Sequence, residues 1–381
     1  MNILHINPYS QNKLWDNLYE YQGKSEDINV DIYVPLNRKY AKTIDVDYNT
    51  TYDKRYRFIF GDIDRFFFFH KNRKIIKDIE REYDIGKFDV LHAHTLFSSG
   101  FIAYELYKKY KVPYIVTLQN TDVNFFLKKI KVLNRIAKKI ILNAEKVIFI
   151  GEKYKDYVVE KYFQEEILPE TKIEIIPYGI DDFWFDNIYC DNKKNRQDDR
   201  IRILTVGMID KNKNQQFICK ICNELITKGI NVEYSIVGDI INRSVFKHLV
   251  KNQYVKYLGF KSKEELKDIY RENDIFILLS KNETFGLVYA EAMSQGLPVI
   301  YTRGQGFDGN FEDGVVGKAV DIHSVKNGAE SILYVLENYS DISRNLESSV
   351  MKFKWNIIAD RYIKIYREIY SAFNNKDWYK I

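Results

Sequence analysis

The feature that most narrows what this chain can fold into is an alternation, run twice, of short β-branched and aromatic stretches with longer stretches of helical spacing. The first series reads "NILHIN" (2–7), "VDIYVP" (30–35), "FDVLHAH" (88–94), "PYIVTLQ" (113–119), "KVIFIG" (146–151) and "IEIIPYG" (173–179). The second reads "IRILTVG" (201–207), "VEYSIVG" (232–238), "VKYLG" (255–259), "DIFILLS" (274–280) and "PVIYT" (298–302). Apolar runs of this length with helices between them predict parallel sheets covered on both faces. Two series predict two doubly wound α/β domains, and 381 residues is a length that two such domains fill. Between them "NIYCDNKKNRQDDR" (187–200) is polar and aperiodic, and reads as a surface connection. In such sheets ligands bind outside the carboxyl ends of the strands.

Several function classes drop out early. A net charge of +5 does not call for a nucleic-acid partner. No apolar run approaches the roughly 20 residues of a membrane span, and "MNILHINPYS" reads as a first strand, not a leader, which predicts a cytoplasmic protein. Cys190, Cys219 and Cys222 cannot form a disulfide framework. Cys219 and Cys222 share a predicted helix with no second pair nearby, so they read as helix thiols and not as a zinc or redox site. Neither first strand is followed by the G-x-G-x-x-G turn of a nicotinamide dehydrogenase.

The chemistry concentrates in "ETFGLVYAE", Glu283 to Glu291. "DIFILLS" predicts a strand, "KNET" a turn with Thr284 as N-cap, and the residues from Phe285 to Gln295 a helix stopped by Gly296. Glu283 then lies before the helix and Glu291 about 10 Å along it, too far apart for one proton relay or a shared metal. A helix N-terminus after a strand seats an anion. The spacing therefore suits a long ligand with hydroxyls at both ends and charge in the middle; the alternative is an ordinary capped helix with one exposed glutamate.

At these residues the chain resembles the retaining glycosyltransferases of family 4, which have the GT-B fold of two Rossmann-like domains facing across a cleft. The family's E-x7-E, E-A-M and G-x-P-V elements match "ETFGLVYAEAMSQGLPVI" (283–300), and "GMIDKNKN" (207–214) matches its phosphate-binding loop, with Met208 in place of the usual arginine. "DVLHAHTLFSSG" (89–100), "PYIVTLQNTD" (113–122) and "IIPYGID" (175–181) resemble its N-terminal segments, with Gln119 where many members have histidine. The resemblance implies an N-terminal acceptor-side domain over 1–184, rejoined by a C-terminal helix over 356–381, and a nucleotide-sugar domain over 198–355. It implies that Glu283 contacts the donor sugar, that Phe285, Gly286 and Leu287 offer backbone amides, and that Glu291 holds the ribose hydroxyls. Lys213 would neutralise the diphosphate, with Gly207, Thr284 and Arg303 also on the donor side. Arg303 and Lys211 are the candidates to replace the missing arginine. His94, Gln119 and Asp122 would face the acceptor. The implied reaction moves a sugar from a nucleoside diphosphate sugar, UDP ahead of GDP, to a saccharide acceptor, with no metal and no cofactor. The competing reading is a catalytically silent subunit that binds glycan or chaperones a partner enzyme.

His92 and His94 fall at period two on one strand, so both point to one face; with no third ligand visible, they read as a hydrogen-bonded pair. Finally, "FFLKKIKVLNRIAKKIILNAEKV" (125–147) predicts one amphipathic helix with Lys128, Lys131, Arg135, Lys138 and Lys139 in a stripe of one sign, and no acidic residue between Asp122 and Glu145. Such a stripe favours an anionic membrane surface or a lipid-linked, diphosphate-bearing acceptor. "DRFFFFHKNRK" (64–74) adds aromatics that serve either a helix core or that same surface.

Overall fold

A computed structural model describes residues 1–10, 13–41, 50–119, 121–163, 168–189 and 199–374. Cys190, most of the predicted connection, and Gln11 and Asn12 of the loop after the first strand lie outside the described residues. The chain divides into two compact units, one made of Met1–Ile150, Lys155–Pro177 and the chain from Trp355, the other of Gly151–Tyr154 and Tyr178–Lys354.

The first unit holds seven parallel strands: β1 (Asn2–Ile6), β2 (Asn29–Asn37), β3 (Asp53–Phe60), β4 (Val90–Ala93), β5 (Tyr114–Thr117), β6 (Lys146–Phe149) and β7 (Ile173–Ile175). Their spatial order is β3-β2-β1-β4-β5-β6-β7, so the strand order reverses between β1 and β4. The inner strands are buried along nearly their whole length, as helix-covered strands must be. β3 escaped the sequence reading because "DKRYRFIF" carries an edge strand's charges: Lys54 pairs with Asp16 at 2.6 Å, and Arg57 pairs with Asp78 at 2.8 Å. The last helix, Trp355–Asn374, belongs to this unit and buries Ile358, Tyr362, Tyr366 and Ile369.

The second unit holds six parallel strands: β8 (Ile201–Val206), β9 (Val232–Val237), β10 (Val255–Gly259), β11 (Ile275–Leu278), β12 (Val299–Thr302) and β13 (Gly317–Val320), in the order β10-β9-β8-β11-β12-β13. Here the order reverses between β8 and β11. A reversal parts the two crossover helices and opens a crevice at the strand ends, so each unit's natural site lies at its own switch point.

The segment 125–147 is not one helix. A π-helical stretch over Asp122–Leu127 is followed by a break at Ile130 (φ −119°, ψ 72°), a 3₁₀ turn over Lys131–Leu133 and an α-helix over Asn134–Asn143 only. That last helix buries Ala137 and Ile140, and the residues flanking it, Leu133 and Ala144, are buried as well. Lys128, Lys131, Arg135 and Lys139 are exposed while Lys138 is half-buried, so the basic row survives on two elements instead of one.

Candidate active site

In the second unit two loops leave the switch point side by side, one after β8 and one after β11. In the first, the Asp210 carboxylate accepts from the amides of Asn212 (2.8 Å) and Lys213 (2.7 Å), a turn that leads through Asn214 in the left-handed region into helix Gln215–Thr227. Asn212 then joins the loops: its carbonyl accepts from the Lys281 amide at 2.8 Å, its side-chain oxygen from the Asn282 amide at 3.1 Å, and its amide donates to the Asn282 carbonyl at 3.0 Å. This brings the Lys213 ammonium to 2.8 Å from the Glu283 carboxylate, with only 18% and 13% of the two side chains exposed.

Glu283 is held from every side. Its carboxylate also accepts from the Ser280 hydroxyl at 3.1 Å and the Thr284 amide at 3.2 Å, its own amide donates to the Gln305 side chain at 2.9 Å, and its carbonyl accepts from the Gly306 amide at 3.0 Å. Thr284 does not cap the helix. The helix runs Leu287–Ser294, and its N-cap is Gly286 at φ +80°. That left-handed step, disfavoured for other residues, turns the chain so that the amides of Phe285, Gly286 and Leu287 donate to no acceptor among the described residues. The predicted helix start was two residues early because Phe285 is drawn into the core at 1% exposure.

Glu291 sits further down the same helix, half-buried, and takes a hydrogen bond from the Tyr270 hydroxyl at 3.3 Å. Burial pushes its carboxyl up to about 7, against that hydrogen bond and the Lys263 charge. Thus Glu283 and Glu291 have separate partners, as two contacts along one ligand require. Gly207 directly follows β8, and a Cβ there would stand 3.7 Å from the Lys213 stem. Met208 is half exposed, and its carbonyl accepts from Gln215 at 2.9 Å. Arg303, a candidate to replace the missing arginine, donates from its guanidinium to the Ala319 carbonyl at 2.9 Å and faces Asp313 at 3.6 Å. Lys211 is exposed on the loop.

At the first unit's switch point the expected acceptor residues turn out to be buried supports. His94 has no exposed surface and Asp122 only 2%. The Asp122 carboxylate accepts from the amides of Leu96 (2.8 Å), Phe97 (3.2 Å) and Gln119 (2.9 Å), clamping the loop after β4 to the loop after β5. Burial lifts its carboxyl to about 6 although those three amides pull the other way. The Gln119 side-chain amide donates to the His94 carbonyl at 3.1 Å.

His92 and His94 do share a face, their rings stacked 4.0 Å apart, but a third histidine joins them. β1 pairs with β4 so that His5 lies opposite His92, and the His5 and His94 ring nitrogens approach to 2.8 Å. One ligand nitrogen from each of the three lies within 4.8 Å of the others, which makes this the group of metal-ligand type among the described residues. Two nitrogens of His92 are already engaged, by Tyr366 at 2.7 Å and Thr117 at 3.1 Å, and the neighbouring rings are those of Trp15, Tyr19 and Tyr362. Sequence spacing shows only the His92–His94 pair; His5 lies 87 positions away and is brought in by strand pairing.

Two parallel-sheet units, the second with a cation, bare amides and two separated carboxylates at its switch point, define a GT-B glycosyltransferase. Residues 15–182 match Glycosyltransferase Family 4 and residues 190–350 match Glycosyl transferases group 1. The chain belongs to the family 4 glycosyltransferases. It is 24% identical over 312 residues to an alpha-monoglucosyldiacylglycerol synthase of Acholeplasma laidlawii, covering 76% of this chain and 78% of that one. Among solved structures it is similar to a sucrose-phosphate synthase from Thermosynechococcus elongatus (TM-score 0.76, 19% identity, 98% of this chain and 100% of that one). It is also similar to Anabaena HepE in complex with UDP (TM-score 0.69, 15% identity, 97% of this chain and 100% of that one).

Proposed function

We propose that this enzyme is a retaining glycosyltransferase that moves a sugar from a nucleoside diphosphate sugar, UDP-linked in preference to GDP-linked, to a saccharide acceptor carried on a lipid. Its setting is cell-envelope polysaccharide synthesis, as a cytoplasmic protein at the inner face of the plasma membrane. The observation that carries the donor reading is the Lys213 ammonium fixed by Glu283 beside the unbonded amides of Phe285, Gly286 and Leu287. Of three ammonium protons Glu283 occupies one, which leaves donors for a diphosphate. The relatives support the same direction: one is named as a glycolipid synthase and another binds UDP.

In this reading the bond from the anomeric carbon to the diphosphate breaks, and negative charge grows on the departing oxygen. Lys213 and the helix amides, already aimed there, stabilise that charge without reorganising. The acceptor hydroxyl attacks from the face the diphosphate leaves and gives its proton to the departing oxygen. Configuration is retained, and no protein base is needed. Glu283 accepts from the sugar hydroxyls while Ser280 and the Thr284 amide keep its carboxylate in place, and Glu291 accepts from the ribose.

Met208 favours a second reading, a glycan-binding subunit without activity, because it stands where the family's phosphate-binding loop carries an arginine. Hydrolysis of nucleotide sugars by the purified chain separates the two: the catalytic reading expects turnover that collapses in Lys213→Ala, and equal signals from both proteins would dismiss it. Melting against a panel of nucleotides identifies the base, since a binder raises stability by RT ln(1 + [L]/Kd).

A further inference from the structure

Two segments far apart in sequence leave large apolar side chains in water on the first unit. In the turn Ile63–Phe66 and the start of helix Phe68–Glu82, Ile63 is 76% exposed, Phe66 86%, Phe67 59% and Phe69 50%. In the second segment Phe125 is 46% exposed and Val132 73%. A continuous row of rings joins the two: Phe69 lies 5.8 Å from Phe101, Phe101 5.3 Å from Phe68, Phe68 6.4 Å from Phe97, Phe97 5.0 Å from Phe126, and Phe126 5.2 Å from Phe125. The exposed groups therefore crown one aromatic ridge. A folded chain rarely leaves so many bulky apolar groups together in water without a partner to cover them.

The charge around the ridge says which partner. Lys128, Lys129, Lys131, Arg135 and Lys139 are all exposed, no acidic residue lies between Asp122 and Glu145, and Asp122 is itself buried. On the other segment, Asp64 is already paired with Lys74 at 2.7 Å. Lys129 lies 5.4 Å over the Phe125 ring, a cation directly beside an apolar wedge. A protein partner with a dry core would leave these ammonium groups desolvated and unpaired, and a nucleic acid would leave Ile63 and Val132 in water. An anionic bilayer takes both, seating the rings among the acyl chains and the ammonium groups at the phosphates.

We propose that this ridge is a membrane seat: Ile63, Phe66, Phe67, Phe69, Phe125 and Val132 enter the outer part of an anionic leaflet, and the row from Lys128 to Lys139 pairs with its headgroups. The proposal rests on the reading of a lipid-carried acceptor, to which it gives a place of access, and it differs from the expected one-helix stripe. The break at Ile130 sets the basic row on two elements, and most of the wedge comes from the Phe66–Phe69 turn.

Flotation of the full chain with phosphatidylcholine vesicles, with and without phosphatidylglycerol, tests it. The expected result is binding to the anionic vesicles alone, weakening with salt, with each basic residue contributing about five-fold. The double variant Phe66→Ser, Phe67→Ser should lower partitioning at least about ten-fold even at low salt, with nucleotide-sugar hydrolysis unchanged. Lys131→Gln with Arg135→Gln should flatten the salt dependence. Undiminished vesicle binding by the phenylalanine variant would overturn the seat. So would self-association of the parent chain that the variant loses, or retention on RNA in preference to anionic vesicles. Vesicle binding with no hydrolysis by any of these proteins would instead sink the enzymatic reading and leave the seat standing.

Discussion

At the scale of single residues, Lys213 and Glu291 carry the sharpest expectations. In the proposed reaction the Lys213 ammonium faces the leaving group, so Lys213→Ala should cut kcat by about 100- to 1,000-fold. Its melting temperature should move little, because Glu283 keeps the Ser280 hydroxyl and Thr284 amide. Glu291 has an opposite kind of signature. Its folded value of about 7 lies above the ordinary 4.5, so the folded chain holds a proton the unfolded chain has lost. That contribution to stability is complete below 4.5 and is lost as pH rises through about 7. In the proposed donor site the same ionisation turns the carboxyl into an acceptor for both ribose hydroxyls. Nucleotide affinity measured calorimetrically should tighten from about pH 6 to about pH 8 in the parent chain and stay flat in Glu291→Gln. Both residues were legible in the sequence because motif and spacing mark them. Ser280, Asn212 and Gln305, which hold Glu283 and its loop, were not, because nothing local tells a turn residue which other loop it will meet.

At the scale of elements, the turn before helix Leu287–Ser294 decides whether the amides are presented. Two glycines make it: Gly286 takes the left-handed step, and Gly306 lets a second loop press so close that a Cβ there would stand 1.7 Å from the Thr284 carbonyl oxygen. Gly306→Ala should therefore destabilise the second unit by about 1–3 kcal/mol, read from urea unfolding, and weaken nucleotide binding as well. Gly286→Ala meets both the positive φ and the Tyr289 ring at 2.5 Å, and should behave alike. Helix and strand types were legible here from hydrophobic period. The capping residue was not: Thr284 has the right chemistry for an N-cap, but burial of Phe285 moved the helix start past it. The same competition between local pattern and packing broke the predicted 125–147 helix at Ile130.

At the scale of the whole molecule, the three histidines make the first unit sensitive to acid. Burial lowers His5 to about 3 and sends His92 and His94 well below 6.5. Below pH 6.5 the unfolded chain takes up protons that the folded unit refuses, so stability is full above that value and falls as pH drops toward about 3. Asp122 and Asp31, each raised to about 6 from 3.8, act in the other direction over part of that range. The net expectation is a loss of about 2 kcal/mol per pH unit between about pH 6 and about pH 5, measured as the urea midpoint of the first unit. His92→Gln should make that acid slope shallower by about two thirds, since it removes nearly one of roughly 1.3 net protons. A slope unaffected by this change would show that the cluster is not the source.

The order of hydrophobic periods was enough by itself to specify two parallel-sheet units, since alternation of strand and helix admits few topologies once both faces must be covered. The spacing of the E-x7-E segment likewise set its two carboxylates too far apart for one proton relay. What only the tertiary structure decided are the meetings between distant segments: Lys213 against Glu283, His5 against His94, and the Phe66–Phe69 turn on one ridge with Phe125. Local sequence sets the conformation of each piece through sterics and propensity. Which pieces touch is set by strand order and by the burial of the whole core, and neither is written in any one stretch.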